Sequence, residues 1–205
     1  MTGMKTTKRS TLFSVIAIAL CFVLLFGATW AWFSATVLNA DNTIGTGTFA
    51  VDLEMKNGDA WASIAGDEAA FECNGWMPGD SVAKVMRVAN EGDIAMDWSA
   101  AFVADYTVAD GAKDLAEVIN VYYIAYDADE TTYSTDITGL TAIGTLAQCM
   151  ANNGLAATVN GADLAANATQ AFAIVLVMDT TAGSEYQDLT ATFDIQISAI
   201  QANAN

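Results

Sequence analysis

The chain has 205 residues, 54% of them hydrophobic and only 15% charged, a composition of folded rather than disordered sequences. Its 24 acidic residues outnumber the 7 basic ones for a formal charge of −17, and a surface that acidic repels phosphate backbones, which excludes nucleic-acid binding through a basic patch. The chain contains no histidine, which removes Ser-His-Asp and Cys-His catalysis and the usual zinc sites.

The N-terminus carries Lys5, Lys8 and Arg9, then an uncharged run from Thr11 to Phe33, then small residues including Ala31, Ser34 and Ala35. Basic, apolar, then small is the order of a secretory signal, so the sequence predicts a signal peptide over 1–35, its apolar part helical, cleaved between 31 and 35. An uncleaved anchor is the competing reading, since Thr11–Phe33 is long enough to span a bilayer. The three early bases leave only four for the chain from Asp41 on, where all the acids lie.

Residues 36–205 read as a single domain built on period-two alternation. Phe49, Val51, Leu53 and Met55 share one face of a first strand, and further strands are expected at Val82–Val88 and Val118–Tyr126. Ile94, Met96, Trp98, Ala100 and Phe102 share a face, as do Ala191, Phe193, Ile195, Ile197 and Ala199. The run Phe172–Met178 is apolar on both faces, as in a central strand. Together these predict an all-β fold, an antiparallel two-sheet sandwich of jelly-roll type with one inserted helix. The helix is expected at about 139–152, where Leu140, Ile143, Leu146, Ala147 and Met150 follow a helical period. Asn152–Gln170, rich in Asn, Ala, Gly and Thr, reads as a long loop with at most one short strand.

Three segments carry a family resemblance. Gly27-Ala-Thr-Trp-Ala-Trp-Phe-Ser, followed by Asn42, Gly47, Thr48, Phe49 and Val51, resembles the signal junction and first strand of the TasA/camelysin family. Met77-Pro78-Gly79-Asp80 leading to Asn90-Glu91-Gly92 is similar to that family's K-P-G-D…N-x-G segment. Pro78, Gly79 and Asp80 suit a tight turn, with proline presetting φ and aspartate bonding nearby backbone. Tyr186-Gln187-Asp188 before the last strand resembles its closing Y-Q-G segment, with Asp188 where glycine is commoner.

Two cysteines, Cys73 and Cys149, lie beyond the apolar run that holds Cys21. In an exported chain they are either one disulfide, worth about 4 kcal/mol for so long a loop, or two separately buried thiols, and their spacing leaves both open. Asp127, Asp129 and Glu130 form an acidic cluster that a calcium ion would suit, against the simpler reading of a solvated loop. Trp61, Trp76 and Trp98 are either a carbohydrate platform or core aromatics, the latter being commoner. No catalytic constellation and no cofactor site is expected.

The resemblance implies a secreted structural subunit of extracellular fibres in a bacterial biofilm matrix, processed by a SipW-type signal peptidase and partnered by copies of itself. In that scheme the freed front adds a strand to a neighbour; here Phe33, Ala35 and Val37 would form one face of the donor. The membrane is met only through residues 11–33 before cleavage. The alternatives are a membrane-anchored monomeric adhesion or binding domain, and a camelysin-type metallo-endopeptidase, for which the chain lacks histidine ligands.

Overall fold

Alternating side chains put one face of each strand in the dry interior, and the chain resolves accordingly into two antiparallel sheets. The computed structural model describes residues 48–64, 70–104, 108, 112–151 and 154–202, together with the backbone of 34–37. Residues 1–33 of the expected signal segment, Phe33 among them, lie outside the described residues, and of the expected cleavage window only Ser34 and Ala35 fall within them. Among the described residues no helix is long and apolar enough to cross a membrane.

The larger sheet holds six strands in the order β3 (Ala60–Ser63), β2 (Val51–Asn57), β5 (Ser81–Asn90), β10 (Thr169–Met178), β7 (Ile119–Ala125) and β8 (Gly144–Thr145). The smaller runs β1 (Ser34–Val37), β11 (Thr190–Gln201), β6 (Met96–Ala104), β9 (Asn160–Leu164), with β4 (Phe71–Asn74) also paired to β11. Pairs among β2–β11 are antiparallel throughout. The two-sheet all-β fold expected from the alternation is therefore the one found, and β10 is central, flanked by β5 and β7.

The core lies between the sheets. Met96, Trp98, Ala100 and Phe102 of β6 and Phe193, Ile195 and Ile197 of β11 face Met86 and Val88 of β5 and Phe172, Ile174, Leu176 and Met178 of β10 in one buried cluster. Trp98 stacks on Phe172 at 5.6 Å between ring centroids and donates from Nε1 to Gln170, tying β6 to β10. Burying each such large side chain contributes roughly 1.5–3 kcal/mol.

The helix is shorter than the sequence period predicts. α1 spans only Leu146–Met150, begun by a capping box in which Thr145 and Gln148 satisfy each other's backbone amides. Upstream, Ile143 donates to Val121 and residues 144–145 join the sheet as β8, so the backbone that would have extended the helix is committed elsewhere. Leu140 is consequently exposed. Among its described residues the Asn152–Gln170 stretch holds β9 and the first two residues of β10.

Between β5 and β6 the chain crosses from one sheet to the other, and Asn90 holds that corner. It is the one buried polar residue among the described residues. Its side-chain nitrogen lies within hydrogen-bond distance of the carbonyls of Ile94, Leu164 and Ala165, and its oxygen accepts from Gly92. Leu164 belongs to β9 of the opposite sheet, so one carboxamide links both layers. Gly92 is obligatory beside it: a Cβ there would stand 2.1 Å from the carbonyl oxygen of Thr48. The Asn90-x-Gly92 pattern is thus a sheet-crossing device. Replacing Asn90 by alanine strands several buried backbone groups and should lower the unfolding free energy by about 3 kcal/mol or more in urea titration, whereas Gln196→Ala, on a half-exposed position of β11, should change it little.

Candidate functional site

β11 is the longest strand and its two flanks are unequally filled. β6 accompanies it from Phe193 to Gln201 on one side. On the other, β4 pairs only Thr190–Phe193, and the amide of Ala70 then bonds the Asp194 carboxylate. Among the described residues the four-residue β1 is the only further neighbour of β11. The segment expected as donor strand is therefore seated on β11 through Ser34–Val37, including Ala35 and Val37, while Phe33 lies outside the described residues. Four residues form a small ladder, and most of the binding free energy of an added strand comes from main-chain bonds and alternate side chains along its length.

The approach to β11 is set by its first turn. Tyr186 is buried in a short 3-10 turn, Ser184–Tyr186, and Asp188 takes a left-handed φ of 61° just before the strand. That conformation explains why glycine suits the position, since L-residues other than Asn and Asp rarely adopt it.

The turn of Pro78, Gly79 and Asp80 forms as expected. Asp80 donates its amide to Met77 and accepts from the Met77 amide through its carboxylate, at 2.9 and 2.8 Å, and Gly79 has φ of 94°, the pattern of a type II turn. Gly79 and Asp80 also exchange bonds with Met178, so the turn fastens the end of β10 to the start of β5. Its role is structural.

The remaining expected sites do not assemble. Cys73 on β4 and Cys149 on α1 are free, buried thiols rather than a bridge, and burial pushes them up to about 12 and about 11. Protonated thiols shut away from solvent are neither nucleophiles nor metal ligands. Asp127, Asp129 and Glu130 are exposed, with the Glu130 amide bonded to the Asp127 carbonyl in a turn. They do not converge: among the described residues no three carboxylates or thiols gather as a metal would require. The tryptophans separate too. Trp98 is core, Trp76 packs against the core, and Trp61 lies edge-on to Tyr133 at 5.4 Å with the Arg87 guanidinium 4.6 Å over its ring.

One polar cleft borders the Asn90 corner. It encloses about 360 Å³ and is lined by Glu54, Arg87, Asn90, Glu91 and Asn167 among others. Arg87 donates to Glu54, so its positive charge is already met. Sequence reasoning did not single out this pair, although Glu54 and Arg87 sit directly opposite each other in the β2–β5 register.

The sequence profile described as camelysin metallo-endopeptidase matches residues 6–205. A search of the curated proteins found no match. Because the profile spans nearly the whole chain, from the basic N-terminus to the end of the last strand, this chain belongs to the camelysin family.

Proposed function

We propose that this chain is an exported structural subunit that polymerises by strand addition along the open flank of β11, and that it is not itself an enzyme. The observation that carries the reading is the pairing of β1 with β11. The donor segment pairs with a strand that, among the described residues, has no other partner on its β4 flank beyond Phe193. Within one chain the front is the described segment that pairs there, whereas in a polymer each front serves the next copy. An unpaired edge invites such an addition, because its N–H and C=O groups gain partners without any rearrangement of the sheet. Retention of the front on the apolar Thr11–Phe33 segment until processing by a signal peptidase would delay assembly until export.

The metal centre named in the family's description does not fit the residues seen. Zinc in peptidases takes histidine with a carboxylate, and this chain has no histidine. Among the described residues no alternative set of three ligands is brought together. No hydrolytic step is derived from them, and a role in scaffolding accords better with the residues that are present.

Removing Phe33–Asn39 should abolish fibres in electron micrographs while leaving the β-rich circular dichroism spectrum intact; normal fibres from the shortened chain would refute the proposal. Charge makes a second expectation. From Asp41 on, the four bases against 24 acids leave a formal −20, so subunits repel one another. Salt shortens the range of that repulsion, and lowering the pH toward the carboxylate range near 4 removes it. Light scattering should therefore show faster polymer growth at high ionic strength and on acidification, and rates indifferent to both would contradict the picture.

A further inference from the structure

A second strand flank stands open on the other sheet. β2 accompanies β5 only over Met86–Asn90, then turns away into the hairpin with β3. β10 covers the opposite flank of β5 from Ser81 to Ala89. Over Ser81–Lys84, then, no described strand is paired on the β2 side. Backbone directions there follow from the ladder. Asn90 bonds Ala168 and Asp80 bonds Met178, both on the β10 side, while Glu91 bonds Ala50 on the β2 side. Since bonding direction alternates along an antiparallel strand, the N–H and C=O groups of Ser81 and Ala83 point toward the vacated flank, while at Val85 the carbonyl faces the Lys56 amide in closing the Met55–Met86 pair.

That flank is a walled notch of about 490 Å³, lined by Met55, Lys56, Gly58, Lys84, Val85 and Tyr133 among others. Its size falls within the range of roughly 300–1,000 Å³ usual for ligand pockets. The hairpin turn at its rim leaves it clear: Gly58 has φ of 62°, and a Cβ there would touch nothing within 4 Å.

Charge is concentrated here against the trend of the molecule. The described residues contain four cations, and two of them, Lys56 and Lys84, line the notch. Neither is within ion-pair distance of a carboxylate among the described residues, where Arg87–Glu54 is the one such pair. Lys56 is held in place without being neutralised, its Nζ 5.3 Å from the rings of both Trp61 and Tyr133.

We infer that the β5 notch is a docking site for a short, extended, acidic segment of a partner protein, which would add as a strand along Ser81–Val85 and set carboxylates against Lys84 on the face shared with Met86 and against Lys56 on the other. An edge of free main-chain groups selects a peptide over a saccharide, because only another backbone answers donors and acceptors at strand spacing. The lysines select acids.

The test uses the full chain and a fluorescent pentapeptide, Glu-Glu-Val-Glu-Glu with blocked termini, which carries acids on both faces of the added strand, read by anisotropy. Binding is expected, with no binding by the lysine counterpart of the peptide. Methylating alternate peptide nitrogens should abolish binding on the unaltered protein, and Lys56→Glu with Lys84→Glu should weaken it roughly tenfold or more. Undiminished binding by the methylated peptide would overturn strand addition, as would complete competition by an acidic oligosaccharide such as oligogalacturonate. Self-association of the chain that the paired Lys→Glu changes abolish would overturn the choice of partner. No binding of the acidic pentapeptide at millimolar concentration would overturn the inference as a whole.

Discussion

The carboxamide of Asn90 sets the frame from which both open flanks are measured. It reaches β9 and the β5–β6 connection from the end of β5, so the two sheets are locked together where the chain passes between them. From that corner β6 runs out along β11, and β5 runs back beside β2. β6 stays with its partner to Gln201, but β2 pairs with β5 no further than Met55, and among the described residues nothing of full length comes to the far side of β11. Buried polar groups of this kind stabilise when fully bonded and are costly when one partner is lost. The corner therefore tolerates little change, while the flanks beyond it are free to differ.

Much of the fold was legible because burial on one face forces period-two alternation. Leu53, Trp98, Phe172 and Phe193 all sit on the faces that the alternation assigns them. The doubly apolar Phe172–Met178 run is central, since both of its faces are covered. The misses have physical causes. β3 (Ala-Trp-Ala-Ser) and β4 (Phe-Glu-Cys-Asn) are four residues long, too short for a period to show, and they exist through the pairings that tertiary structure offers. The helix was drawn too long because apolar spacing over Leu140–Met150 continues through residues whose amides serve β7 and β8. The Thr145-x-x-Gln148 box was the better signal for its start.

The candidate site was less legible than the fold. A sequence shows which segment could leave as a donor, yet which flank lacks a partner depends on where strands of unequal length stop. Neither the parting of β2 from β5 nor the short reach of β4 along β11 has a local signature. Asp127, Asp129 and Glu130 are neighbours in sequence that do not converge in space. At Asp188 the left-handed backbone shows both why glycine is commoner there and why aspartate is tolerated.

The unequal ladders on β11 have a mechanical consequence. β6 holds this strand over nine paired positions, from Phe193 to Gln201, whereas β1 offers four residues. In a thread of subunits joined front to edge, tension would load the short ladder in shear while the body carried the same force over many more bonds. Such a thread would yield at its joints and leave its beads folded, so a stretched strand of material could part and knit again without denaturing its subunits.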